Sequence, residues 1–311
     1  LTPITEGPNP VTYFDVSRAD GRLAYVTGNS LFVAGPMGEE QQLIVEGVYP
    51  VDMNRAIEQE IRGVAWSPDG SRIAYGLGGV NVVAATGGEP ELLLASDPLP
   101  EGAPSTPPRF YWPRSWSPDG SRLLIDIVFY PEGGSLGILP ATGGEPLELT
   151  TAEQSLCCSP SWSPDGDSIY IAADVIGMIQ PGLWRIDTTT GEGTTLFRGE
   201  QPDGSFRLAA LPYEAPDGML YYLYGETDGF PETNIPLQAV RAPADAVEQR
   251  EVLNEQGARF GDGLWAPNGS LAVVAEPSFD GRGLHIIPAG GQIVTIDVLA
   301  RMLRWGVVTS Q

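Results

Sequence analysis

The sequence predicts an all-β fold built from repeats, and three observations carry that prediction. One phrase recurs six times at near-even spacing, its flanks alternate apolar and polar residues, and glycine and proline fall between apolar segments rather than in runs. The strict copies are AWSPDGSRIAY from Ala65, SWSPDGSRLLI from Ser115 and SWSPDGDSIYI from Ser161. Looser ones are VSRADGRLAYV from Val16, YEAPDGMLYYL from Tyr213 and LWAPNGSLAVV from Leu264. Their turn glycines, Gly21, Gly70, Gly120, Gly166, Gly218 and Gly269, stand 46 to 52 residues apart. A period near fifty made of short strand patterns indicates a radial array, so the predicted architecture is a six-bladed β-propeller with four antiparallel strands per blade.

The second repeat shows how one blade is read. Pro68 presets its own backbone dihedral, Asp69 is suited to accept from neighbouring amides, and Gly70 tolerates a positive φ, so SPDG is a tight turn between a first and a second strand. SRIAYG then alternates, with Ile73 and Tyr75 on one face and Ala74 on the other. VNVVAA supplies a third strand, and TGGEPELLLA a second tight turn followed by an outer strand, echoed in ATGGEPLELT and TTGEGTTLF. Trp66, Trp116, Trp162 and Trp265 close the first strands and are expected as wedges between neighbouring sheets, because a four-stranded unit cannot bury both faces alone. Six such units account for nearly all of residues 1–311 as a single propeller domain, with 298–311 expected as a closing strand or tail that covers an edge.

Forty acidic residues face seventeen basic ones, all arginine, for a formal charge of -23. That balance argues against a phosphate-backbone partner, so no nucleic acid is expected. No run of eighteen apolar residues is present, so no transmembrane segment is expected. The first residues lack a basic stretch followed by an apolar core, and a leader or lipid anchor removed beforehand is compatible with that.

The WSPDG phrases resemble the WD40-like PD40 repeats of TolB-like six-bladed propellers. The resemblance covers most of the chain and is specific in the second to fourth units. It implies an extracytoplasmic propeller, periplasmic, secreted or surface-associated, that binds proteins or small molecules, commonly without chemistry of its own. The matching residues, Trp66 to Gly70, Trp116 to Gly120 and Trp162 to Gly166, are structural in that family and transfer a fold rather than an active site. Similar repeats also form the propeller portion of prolyl-oligopeptidase-type serine peptidases, but no G-x-S-x-G nucleophile phrase is expected here.

If SPDG and TGGEP turns share one end of the blades, the longer fourth-to-first-strand connectors open at the other. These variable segments bring Tyr49, Phe110, Tyr111, Trp112, Phe206 and Phe260 toward one mouth, with Arg55, Arg109, Arg114, Arg207 and Arg259. Aromatic faces suit a sugar or an apolar side chain, and arginines suit a carboxylate or phosphate. Loop aromatics also pack loops down, which is the plainer reading of the same residues. The paired Cys157 and Cys158 join this face as buried thiols, as a ring-closed vicinal disulfide, or as a metal or redox pair; adjacent side chains in an extended strand point apart, so the disulfide requires a distorted turn.

Catalytic readings are thinly supplied. His285 is the chain's one histidine, which removes multi-histidine metal sites and leaves a structural role for the residue. Asp174, Glu226 and Glu276 lie near second-strand ends, where convergence would bind calcium or perform glycoside hydrolysis or elimination. The expectation is therefore a noncatalytic binding or scaffold propeller, without cofactor, recognising a protein, peptide or carbohydrate at the variable-loop face. A carboxylate-dependent glycoside hydrolase or lyase, calcium-assisted or not, is the alternative.

Overall fold

The computed structural model describes residues 9–100, 106–150, 160–174, 180–228, 235–277, 283–300 and 302–305. Six four-stranded antiparallel sheets follow one another, each with its strands adjacent in chain order. The first sheet holds β1 to β4 (Val11–Val16, Leu23–Thr27, Ser30–Ala34, Gln42–Val45) and the second β5 to β8 (Arg62–Trp66, Arg72–Gly76, Gly79–Ala84, Glu91–Ala95). In the third are β9 to β12 (Arg109–Trp116, Arg122–Phe129, Gly134–Pro140, Leu147–Glu148). The fourth comprises β13 to β16 (Ser161–Trp162, Ser168–Ala173, Gly182–Asp187, Gly193–Arg198) and the fifth β17 to β20 (Ser205–Glu214, Met219–Asp228, Leu237–Pro243, Glu251–Ala258). The sixth contains β21 to β24 (Asp262–Trp265, Leu271–Ala275, Leu284–Pro288, Val294–Ile296). Two compact units divide the chain, residues 1–148 with 304–311 and residues 149–303. No strand is formed by the described part of the tail, 298–300 and 302–305.

The recurrent phrase closes the first turn of the second, third and fourth blades by one device. Ser67 Oγ donates to Asp69 Oδ1 at 2.6 Å and accepts from the Arg72 amide at 2.9 Å, while the Gly70 amide donates to the Ser67 carbonyl at 2.9 Å. Gly70 sits at φ +70°, where a side chain would be strained. Ser117 with Asp119 and Ser163 with Asp165 repeat the arrangement at 2.5 and 2.6 Å. The hydrogen bonds hold the Asp69 and Asp119 carboxyls down to about 2.

Three of the four expected tryptophans are buried as wedges, while Trp162 is only half-buried. Trp66, Trp116 and Trp265 are buried, and burying each indole contributes on the order of 2–3 kcal/mol. Trp116 Nε1 donates to the Ala65 carbonyl of the preceding sheet at 3.0 Å, as Trp265 Nε1 does to the Leu211 carbonyl at 2.8 Å. Arginine completes the joint from above: Arg22 lies 4.9 Å over the Trp66 ring and Arg72 4.7 Å over Trp116. Within the first unit, apolar faces of the first two sheets meet around Leu31, Ile73 and Tyr75, and those of the second and third around Val82, Leu123 and Ile125. In the second unit the corresponding clusters gather Tyr170, Leu183 and Tyr222, then Leu223, Trp265 and Val274.

Because the strands run in order, every SPDG-type turn and every third-to-fourth-strand turn leaves its sheet at one end, and every longer connector leaves at the other. That is the arrangement the repeat predicts.

Candidate functional site

In the first unit the connector of residues 46–61 is built on a buried polar clamp and reaches the start of the next one at Leu99. Asn29, at the β2–β3 turn and almost fully buried, donates from Nδ2 to the carbonyls of Val48 (2.8 Å) and Gln59 (2.9 Å) and accepts the Ile61 amide at Oδ1 (2.7 Å). One side chain thus ties down both ends of the connector. Gly47 permits the close approach, since a Cβ there would overlap the Asn29 carbonyl. Between the anchors Asp52 accepts the Asn54 amide at 3.0 Å and starts a single helical turn, Met53–Arg55 continuing into Ala56–Gln59. Glu58 then reaches the second connector, where its Oε1 accepts the Leu99 amide at 2.8 Å. Asp97 and Arg109 close that connector by exchanging backbone and side-chain bonds of 2.9 and 2.8 Å.

This framework holds apolar side chains outward. Val48, Tyr49 and Met53 are 61%, 62% and 83% exposed, and the Tyr49 hydroxyl donates to Asn9 Oδ1 at 3.1 Å. Toward the inner strands, Arg62 pairs with Glu60 at 2.5 Å and lies 4.9 Å from the Trp112 ring, for which Gly76 leaves room. Arg114 pairs with Asp126 at 2.6 Å. Tyr13 stands close enough to feel Arg62, Glu60 and Asp126, and burial pushes its phenol upward.

Several expected rim residues have other duties. Phe110 is wholly buried, edge-on to Tyr130 at 6.3 Å, and its expected ligand contact is corrected: alternation along β9 turns it into the interior. Tyr111 is half-buried against the core between the second and third sheets. Arg55 pairs with Glu58 at 2.7 Å, and Arg109 with Glu148 at 3.1 Å while lying 5.2 Å over Phe129. Both of these arginines are thus already engaged by a carboxylate.

The second unit presents a cleft of about 950 Å³ lined by Gln180, Phe197, Arg198, Glu200, Arg207 and Glu248 among others. Arg207 pairs there with Glu248 at 2.8 Å, and Glu248 also meets Arg250 at 3.3 Å. Phe206 and Phe260 are half-buried against the core of that unit, and Arg259 is exposed. Cys157 and Cys158 lie outside the described residues.

The three carboxylates of the catalytic alternative have separate surroundings. Glu226 is bonded by the Tyr224 hydroxyl and meets Arg250 at 3.4 Å. Glu276 pairs with His285 Nε2 at 3.1 Å, while His285 Nδ1 contacts the Thr295 hydroxyl at 2.9 Å. Asp174, at the end of β14, is pushed up to about 6 by burial. Among the described residues no group of three or more histidine, cysteine or acidic side chains is placed to hold a metal ion. Contrary to expectation, the sequence does contain a G-x-S-x-G phrase, Gly133 to Gly137. Ser135 lies within β11 opposite Ile127 and donates to Glu148 Oε1 at 2.9 Å, so it is a strand residue and not the exposed tip of a strand-to-helix elbow.

Asn29, Glu58, Arg62 and Asp126 are absent from the sequence-based site. The first sits in the short turn between β2 and β3, where its φ of +56° identifies it only once the backbone is known. Asp126 had a readable signal, since pairing β10 against β9 sets it opposite Trp112.

No family model matches the chain, and no curated protein does. Among solved structures, an oligogalacturonate lyase from Vibrio parahaemolyticus is 11% identical over 94% of this chain and 80% of that one, with a TM-score of 0.63. The β-propeller domain of Cps50 (Swd1) from Myceliophteria thermophila is 11% identical over 95% and 88%, with a TM-score of 0.54. TolB from Acinetobacter baumannii is 16% identical over 90% of this chain and 61% of that one, at a TM-score of 0.48. Among the described residues no helix is long and apolar enough to cross a membrane. Six four-stranded antiparallel sheets in chain order, in a chain similar to a solved β-propeller domain at an identity that speaks for fold alone, make this chain a six-bladed β-propeller.

Proposed function

We propose that the chain is a noncatalytic recognition module that binds a protein or peptide through its connector face and works outside the cytoplasm. The observation that carries this reading is the clamped connector of residues 46–61 in the first unit, which holds Val48, Tyr49 and Met53 toward solvent. A connector fixed beforehand loses little freedom on binding, so more of the contact energy appears as affinity. Exposed apolar and aromatic groups suit a protein surface, whereas the nearby arginines are already engaged by carboxylates and offer little to a free anion. The acid excess of the chain disfavours nucleic acid. Panning the purified chain against a displayed library of random peptides, followed by titration of synthetic hits, tests the reading. Hits that lose about tenfold or more in affinity on Met53→Ala are expected, in line with a buried anchor at an interface. Failure to enrich any peptide, or indifference of every hit to the substitution, would overturn it.

A second reading makes the chain a carboxylate-dependent glycoside hydrolase or lyase, with calcium as its metal if it has one. Asp174 favours it, since a carboxyl held near 6 is suited to proton transfer at neutral pH. Two solved structures of similar fold are named as oligogalacturonate lyases, one in complex with manganese. Turnover of an acidic oligosaccharide that disappears in Asp174→Asn would establish this reading in place of the first.

A further inference from the structure

We infer that the partner segment seated on the Val48–Tyr49–Met53 surface is basic, an apolar anchor flanked by lysine or arginine. The inference rests on the recognition reading above and specifies the chemistry of its partner. Four carboxylates, Glu46, Asp52, Glu58 and Glu60, stand in the stretch from Glu46 to Glu60 against the single Arg55. The geometry sorts them into two kinds. Glu58 is engaged by Arg55 and by the Leu99 amide, and Glu60 by Arg62, so both serve the framework. Glu46 and Asp52 are exposed, and they bracket Val48 and Tyr49 along the chain, with Met53 next to Asp52. Asp52 spends one oxygen on the Asn54 amide and side chain, leaving its other carboxylate oxygen to face outward partners.

Along the chain the exposed Val48 and Tyr49 are therefore flanked by a carboxylate on each side, and the stretch's single cation, Arg55, is already paired with Glu58. An anionic segment would meet these two carboxylates and the field of a chain of formal charge -23. A neutral apolar segment would cover Val48 and Met53 but leave both carboxylates partly desolvated without partners. A basic segment satisfies them, and the exposed ring of Tyr49 adds a face on which a guanidinium or ammonium can rest. Complementary charge of this kind acts first on the association rate and is weakened by salt.

The test uses the full chain, the random-peptide library and three proteins: wild type, Met53→Ala and Glu46→Lys. Glu46 makes no hydrogen bond within the clamp, and its replacement leaves Asn29 and Glu58 in place, so a folded variant is expected with a melting temperature near wild type. Enriched peptides should carry lysine or arginine beside a large apolar residue. Their affinity should fall about three- to tenfold on Glu46→Lys and by a similar factor between about 50 and 300 mM NaCl, the range over which surface charges become screened. Hits that depend on Met53 but show no basic excess and no response to Glu46→Lys would overturn the inference while leaving the recognition reading intact. Hits indifferent to Met53→Ala would remove both.

Discussion

The two ends of the blades are built on opposite principles. At the turn end, serine, aspartate and glycine recur at fixed offsets and form the same bonds in the second, third and fourth sheets. At the connector end, residues 46–61 and 96–108 share neither length nor motif, and the first is held by three long-range bonds of Asn29 while Glu58 reaches Leu99 in the second. Repetition therefore marks what any blade requires to close, and one-off bonds mark what this particular surface presents. The looser turns make the same point from within: where Ala215 and Ala266 replace the serine, the backbone bonds from Gly218 and Gly269 persist at 2.9 and 2.8 Å without the serine–carboxylate pair.

The largest effect is expected at the connector end. Asn29→Ala strands one buried amide and two carbonyls and places alanine at a φ of +56°, so a loss of about 2–4 kcal/mol is expected in urea denaturation. If the loss is as small as that of a surface substitution, the clamp is not what holds the connector. Next comes the turn end, where Ser117→Ala should cost about 1 kcal/mol and Ala215→Ser should return about 0.5 kcal/mol by recreating the bond to Asp217. Equal and negligible shifts for the two would erase the distinction between strict and loose turns.

Acid sharpens it further. Asp69 and Asp119 have depressed folded values near 2, so the stability they add is complete above the ordinary aspartate value near 4 and is lost as pH falls toward 2. Solvent screening holds this to under about 1 kcal/mol per turn, and Ser67→Ala with Ser117→Ala should flatten that part of the pH profile. Asp174 works in the reverse sense: its raised value near 6 means stability is gained as pH drops from about 6 to 4, and Asp174→Asn should abolish that slope. Arg72→Ala removes a cation from the Trp116 face and should lower stability by about 0.5–1 kcal/mol in thermal melts.

Reading the sequence recovered the sheets because their causes are local. Pro68, Asp69 and Gly70 each favour a turn by their own covalent structure, and Ile73 and Tyr75 reveal a buried face by alternation alone. The candidate surface was recovered less fully because its causes are remote. Tyr49 was identified as a rim residue by its place in a connector, but nothing near Asn29 announces that it bonds residues up to 32 positions away. Phe110 misled for the complementary reason: it has the composition of a loop aromatic, yet strand β9 already begins at Arg109 and includes it. Arginines were read as suited to a ligand's carboxylate or phosphate, although Arg109 and Arg207 find acidic partners of their own 39 and 41 residues away that the sequence does not set beside them.

The indole bond from Trp116 to Ala65 has a bearing on biosynthesis. Residue 65 leaves the ribosome long before residue 116, so its carbonyl waits for a partner 51 positions downstream. A chain halted after the second sheet would display an unsealed flank where the third should dock, together with the bare seat of Trp116. Assembly from the amino terminus thus hands each finished sheet to the next one synthesised, and nascent fragments ending on sheet boundaries should be the ones that chaperones retain.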